Sequence, residues 1–258
     1  MMTSQSIEDH FYFRPRTWLL SGILISVLTT IPIVMATQDY IILSDDETLT
    51  AFTPSDPLEE EVEAHINSLP LTRSLRANPA FTESRPSLKM NPTYRSSSLT
   101  SGVLAGPGKI VVPPYAWSEE GGKSLVTIQY LGENLCGHAG IVHGGLLATL
   151  LDEGLARCCF PALPNKIGMT ANLTVNYRAP SRAGNYFVLR AKTVKVEGRK
   201  AWVEGHIETL PEEGQEPVIL VQATALMIEP KNANVRLTPV EAPGLCFLFN
   251  TADEFGRS

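Results

Sequence analysis

Residues 137–160 read GHAGIVHGGLLATLLDEGLARCCF. The apolar positions from Gly145 to Cys159 recur at helical spacing. At about 100° per residue, Leu146, Leu147, Leu150, Leu151, Gly154 and Leu155 form one broad apolar arc. A helix with so wide an arc is stable only when most of it is buried, so the rest of the domain has to supply a surface that wraps it. The flanking segments have the character of such a surface. Leu125–Tyr130 reads as a strand, and four more strand signals follow the helix: Met169–Tyr177, Tyr186–Val196, Lys200–Leu210 and Val218–Ile228. Each is rich in β-branched or aromatic residues and bounded by Gly, Pro or charged turns, with Gly198 and Pro211–Glu216 marking hairpins. The expected class is α+β, an antiparallel sheet around one central helix.

The same helix carries chemistry. Gly144 and Gly145 follow His143 at its start, where nothing blocks close approach to the backbone. Free N–H groups and the macrodipole at such a start stabilise a developing oxyanion. Gly145, Ala148, Asp152 and Ala156 share a second helix face. An acid among small residues implies close packing and a partly buried carboxylate suited to general base work, whereas Glu153, on another face, is expected in solvent. Gly145 and Asp152 lie roughly 10 Å apart along one helix, too far to act on one carbonyl. If both are catalytic, two chains combine Gly145 from one with Asp152 from the other, and the small-residue face is the seam of a symmetric dimer.

Met169–Tyr177 alternates strictly. One face carries Thr170, Asn172, Thr174 and Asn176, continued by Arg178, and the other carries Met169, Ala171, Leu173, Val175 and Tyr177. Thr170 is the hydroxyl placed to orient a water or the carboxylate. Between Lys166 and Lys200 stand eight basic residues and one acid, Glu197. That patch suits a phosphate-bearing small molecule, and Arg178, Arg199 and Lys200 are its strongest candidates. The net charge of −6 argues against a nucleic-acid partner. The four cysteines, Cys136, Cys158, Cys159 and Cys246, show no metal-ligand spacing and read as small buried thiols.

Val142–Gly145, Asp152, M-T-A-N-L-x-x-N-Y-x-x-P at Met169–Pro180 and K-V-E-G-R-K at Lys195–Lys200 together resemble the hotdog-fold acyl-CoA thioesterases, the PaaI-like branch that includes mammalian thioesterase superfamily members 4 and 5. The resemblance spans Leu125 to Pro230. It implies that the Gly145 N–H polarises the thioester carbonyl and that His143 shapes the loop. It also implies that Asp152 of the partner subunit activates water or attacks directly, with Thr170 beside it. Asn176, Arg178, Arg199 and Lys200 match coenzyme A contacts, and Gly144 joins them at the helix start. Relatives often carry Asn six residues before the His, where this chain has Gly137, which leaves Asn134 as the substitute. Coenzyme A is part of the substrate, and no separate cofactor or metal is implied. Two alternatives stay open: a non-catalytic acyl or coenzyme A binder or scaffold, and a thioesterase acting on carrier-bound acyl groups.

The expected organisation is a polar segment over 1–16, a membrane span over 17–36, an arm over 37–120, the hotdog domain over 121–230 and a tail over 231–258. Thr17–Ala36 holds 20 residues without a charge, about the length needed to cross a bilayer as a helix. Trp18 and Tyr40 sit where interfacial aromatics belong. A cleaved secretory signal ending at Val34-Met35-Ala36 is the competing reading. Arg14 and Arg16 precede the span while Asp39, Asp45, Asp46 and Glu47 follow it, which places the N-terminus on the cytosolic or matrix side. The anchor resembles that of fungal mitochondrial membrane proteins with this domain, so the expected location is a mitochondrial membrane, with the endoplasmic reticulum as alternative. In the arm, Asp56 is the expected N-cap, Pro57 the first helical residue and Glu59 the closing member of a capping box. Leu58, Val62, Ile66 and Leu69 follow at helical spacing, a second short helix is expected over Thr72–Ala77, and residues 84–108 read as a loop or lid.

Overall fold

The computed structural model describes residues 43–210, 215–231 and 233. The expected span over 17–36, much of the Pro211–Glu216 turn, Cys246 and nearly all of the tail lie outside the described residues. No described helix is long and apolar enough to cross a membrane.

The arm comes first in the chain. Helix α1 (Asp45–Thr50) is closed by a capping box in which Ser44 and Glu47 satisfy each other's backbone N–H groups. Helix α2 (Pro57–Ser68) starts as expected, with the Asp56 carboxylate accepting from the N–H of Leu58 and of Glu59 at 2.9 and 3.0 Å. The expected box does not close on Asp56. Glu59 turns back one residue further and accepts from the Ser55 N–H and hydroxyl at 2.7 and 2.9 Å. Helix α3 (Pro70–Ala77) follows at once, Pro70 serving as its first residue. The prolines of residues 84–108 likewise open short turns, because proline is preset for a first helical position and needs no N–H there. A 3₁₀ turn at Pro86–Leu88, helix α4 (Pro92–Arg95) and a π-type turn at Leu99–Val103 replace the expected loop.

The strands form one antiparallel sheet of seven plus a small pair. Strands β1 (Phe81–Ser84), β2 (Tyr115–Glu119) and β3 (Ser124–Leu131) begin it. The pair β4 (Cys136–His138) and β5 (Ile141–Val142) leads into helix α5 (Gly144–Cys159). Strands β6 (Met169–Tyr177), β7 (Asn185–Glu197), β8 (Lys200–Thr209) and β9 (Ile219–Ile228) complete the sheet in the order β1-β2-β3-β7-β8-β9-β6. A two-residue turn joins β7 to β8, with positive φ at Gly198, its first residue, the position where a II′ turn requires glycine.

The leucines of the predicted arc of α5 are buried against the inward residues of β7, β8 and β9. Strand β3 is buried on both faces. Leu125 and Leu131 belong to the core under α5, while Val126 and Ile128 belong to a second core with Val62, Ile66, Leu69 and Leu75 of the arm. Arg85, 1% exposed, is ion-paired with Glu63 there and lies 3.9 Å from the Tyr115 ring centroid. The arm is therefore packed on the outer face of the sheet.

Ile66 is fully buried between α2 and the sheet. Ile66→Ala is expected to lower unfolding free energy by about 2–5 kcal/mol, read by urea denaturation, in one transition shared by arm and sheet. Separate arm and sheet transitions would show that the second core does not couple them.

Candidate active site

The site is built from the start of α5, its middle and the edge strand β6. At the start, the His143 N–H donates to the Leu135 carbonyl at 2.8 Å. Its ring turns back as the N-cap, Nδ1 accepting from the Gly145 N–H at 3.0 Å. A neutral imidazole that accepts at Nδ1 carries its proton on Nε2, so His143 presents a donor outward. Gly137 has a physical role in this arrangement. A Cβ there would come within 3.0 Å of the His143 ring, so the ring occupies the space a side chain at 137 would need. The Tyr177 hydroxyl donates to the Gly144 carbonyl at 2.7 Å and pins the helix start to β6. A cleft of about 340 Å³ opens beside it, lined by Gly144, Leu147, Tyr177 and Arg178.

About two turns further on, Asp152 is half-buried and accepts a hydrogen bond from the Thr170 hydroxyl at 2.8 Å. Strict alternation would have turned Thr170 away from the helix-facing residues Leu173 and Val175. A β-bulge at Ala171 resolves this: Thr170 pairs with Met227 and Asn172 with Leu226, so two steps along β6 match one along β9. The extra residue shifts the phase of the strand. Thr170 then shares the inward face with Leu173, Val175 and Tyr177, while Asn172, Thr174 and Asn176 face outward.

Glu153 departs from expectation. It is half-buried, not solvated, and the Thr100 hydroxyl of the π-type turn donates to its carboxylate at 2.9 Å. Burial pushes its pKa above the usual carboxylate range, opposed by Thr100 and the Arg157 charge and reinforced by Asp152. Helical periodicity placed Glu153 correctly on the helix, but it carried no information about the arm that folds over that flank.

The remaining candidates fall into two groups. Arg178 and Asn176 lie at the C-terminal end of β6. The Arg178 guanidinium donates to Gln222 at 3.0 Å, and Asn176 lies in an outer-face groove with Arg190 and His206. Arg199 and Lys200 lie at the other end, because the register sets Met169 opposite Ile228 and Ile228 opposite Lys200. Arg199 donates to the Glu229 carbonyl at 2.6 Å. Thr170 and Asn176 are about 20 Å apart along the strand. One chain therefore holds Gly144, Gly145, His143, Asn176 and Arg178 near one end and Asp152, Thr170, Arg199 and Lys200 near the other. Asn134 joins neither group; its N–H donates to the Gly108 carbonyl at 2.8 Å and its side chain lies against Gly108. Tyr177 was missed by sequence reasoning, which counted it only as an apolar face residue.

A family model described as the thioesterase superfamily matches residues 139–214. A UPF0644 protein of Schizosaccharomyces pombe is 33% identical over 186 residues, 71% of this chain and 71% of its own length. The acyl-coenzyme A thioesterase THEM4 of Mus musculus is 34% identical over 107 residues, 42% of this chain and 44% of its own. An uncharacterised mitochondrial membrane protein of Saccharomyces cerevisiae, FMP10, is 24% identical over 166 residues, 64% of each chain. With its antiparallel sheet around a central helix, the chain belongs to the hotdog thioesterase superfamily.

The thiols below the site are electrostatically quiet. Burial pushes Cys158 up to about 11 and Cys159 up to about 12, so neither is a thiolate at neutral pH. Native protein at pH 8 is expected to be alkylated at the partly exposed Cys136 and to spare Cys158 and Cys159, as mass spectrometry of labelled peptides would read. Because both folded pKa values lie above the unfolded thiol value, stability is full below that value. It falls as pH rises from about 9 towards 11–12. Fast labelling of either thiol in folded protein would contradict this assignment.

Proposed function

We propose that the protein hydrolyses acyl-CoA thioesters to the free acid and coenzyme A, working as a homodimer or a dimer of such dimers. The observation that carries the reading is the 2.8 Å Thr170–Asp152 hydrogen bond, a half-buried carboxylate held by a hydroxyl on an open edge of the sheet. The relative named as an acyl-coenzyme A thioesterase supports the substrate class.

In this reading the thioester carbonyl takes the Gly145 N–H from the His143 ring. Asp152 of the other subunit removes a proton from water, and the water oxygen bonds to the carbonyl carbon. The carbonyl electron pair moves to oxygen, held by the Gly145 N–H. The pair then returns, the C–S bond breaks and the proton passes to the departing thiolate. Direct attack by Asp152 would give an acyl anhydride that water then opens, to the same products.

The dimer reading rests on the separation of the two residue groups. A twofold axis beside β6, with the strand running antiparallel to its mate, brings the His143–Gly145 group of one chain to the Asp152–Thr170 group of the other. Strand β6 suits such pairing: it is a nine-residue edge with Met169 58% and Tyr177 55% exposed, and sheets rarely leave such an edge uncovered. Arg199 and Lys200 from one chain and Arg178 from the other then supply cations to the phosphates of coenzyme A. Residues 17–36 anchor the enzyme in a mitochondrial membrane, a location supported by the yeast relative's description.

One observation favours the second reading, a coenzyme A ester binder without turnover: the Gly145 N–H is already bonded to His143. Kinetics separates the two. Asp152→Asn is expected to lower kcat on acyl-CoA substrates by about 10²–10⁴, with KM little changed, and Thr170→Val to lower it less. Unchanged turnover in Asp152→Asn, or full activity in a monomer seen by sedimentation, overturns the mechanism. Saturable binding without turnover in the unmodified protein supports the binder.

A further inference from the structure

Strand β3 packs α5 with its odd-numbered residues, yet two of the four, Thr127 and Gln129, are polar. Opposite them on α5 stand Glu153 and Arg157, and together they line a cavity of about 60 Å³ flanked on the outside by the arm. The cavity faces the β2–β3 side of the sheet, whereas Asp152 faces β6 at the opposite edge.

Three polar groups meet here without partners. Gln129 is 2% exposed, and its amide nitrogen has no hydrogen-bond partner among the described residues. The same holds for the buried Ser87 hydroxyl of the arm. The Arg157 guanidinium makes no hydrogen bond or ion pair with the described residues, although burial already pulls its pKa below the ordinary value. The two acids near it are committed elsewhere, Glu153 to Thr100 at 2.9 Å and Asp45 to Lys89 at 2.6 Å. A buried donor left unpaired is costly, and the Arg157 charge is met only through space by Glu153 and Asp45, not by a direct hydrogen bond or ion pair with them. A cavity onto which β3, the arm and α5 each turn such a group is a built receptor for something that accepts hydrogen bonds and carries negative charge.

We propose that this cavity binds a short monocarboxylate, its carboxylate held by the Arg157 guanidinium, the Gln129 amide and the Ser87 hydroxyl, and its alkyl end against Ile110 and Leu150. The planar fork of arginine fits a carboxylate with two parallel hydrogen bonds. The neighbouring Glu153 disfavours a doubly charged phosphate, which brings more negative charge into the same space. A neutral amide offers an acceptor but no charge for Arg157. Short acids are the chemical class that hydrolysis of short-chain thioesters releases, but the site does not depend on that reading, because its test is binding.

The test is thermal melting of the full chain titrated with acetate, propionate or butyrate, against acetamide, inorganic phosphate and chloride at matched ionic strength. A saturable rise in Tm is expected with the monocarboxylates, absent with acetamide and chloride and smaller with phosphate. Arg157→Gln is expected to weaken the carboxylate by about tenfold or more. Gln129→Met and Ser87→Ala each remove an unpaired buried polar atom, so the unliganded Tm should hold or rise while the carboxylate-induced shift shrinks. These two variants decide the matter if Arg157→Gln does not fold. Asp152→Asn should keep the shift in full, which separates failure of this site from failure of the catalytic reading. No shift in the unmodified protein, an equal shift with acetamide or phosphate, or a full shift in Gln129→Met and Ser87→Ala overturns the proposal.

Discussion

The depth at which α5 sits in the sheet depends on two glycines. A Cβ on Gly205 of β8 would lie 2.5 Å from the Arg190 carbonyl oxygen and 2.9 Å from Leu155 Cδ2. A Cβ on Gly154 of the helix would lie 2.7 Å from Leu189 Cδ2. Real Cβ atoms do not come so close, and close-packed interiors yield little. With hydrogen in both places the helix settles into the sheet until Leu151 and Leu155 are fully buried. That depth sets everything the helix carries, since Asp152 and Glu153 project from the same turn towards opposite edges of the sheet.

Depth alone would not complete the Asp152 contact. Strand β6 has to present a hydroxyl on its inward face at the right height, and its bulge at Ala171 does so. The bulge reconciles two demands on one strand. Beyond it, Leu173 and Val175 pack inward, and the Tyr177 hydroxyl holds the helix start through its hydrogen bond to the Gly144 carbonyl. Before it, Thr170 also points inward and meets the carboxylate. The local break in the ladder lies on an edge strand, where it leaves β9 and β8 paired along nearly their whole length.

Much of this was legible in the sequence because it depends on period. The apolar arc of α5, strands β3 and β6 to β9 and the Asp56 cap depend on residues within a few positions of each other, and the structure places each within a residue or two of the expected bounds. What was not legible depends on contacts distant in sequence. The phase shift at Ala171 is invisible to an alternation count, which assigned Thr170 and Leu173 to opposite faces. The burial of Glu153 comes from Thr100, fifty-three residues earlier. Gly137 looked like a lost asparagine until the His143 ring was seen against it. Residues 84–108 read as loop because proline and serine dominate them, whereas here proline opens short turns.

The arm changes the physical character of β3. A strand that covers a helix on one face normally has a wet outer face and alternates accordingly, but here Val126 and Ile128 are buried under α2 and α3 as deeply as Leu125 and Leu131 are under α5. A strand buried on both faces has no structural need for Gln129 in its centre, and an apolar residue of similar volume would avoid an unpaired buried amide. The arm adds to the anomaly, because it brings Ser87 and Thr100 to the same cavity. A scaffold selected only for stability would have filled this space with leucine or closed the polar groups on each other. The chain instead keeps a cation, an amide and a hydroxyl facing one small volume, within a domain whose other edge holds the Asp152–Thr170 pair.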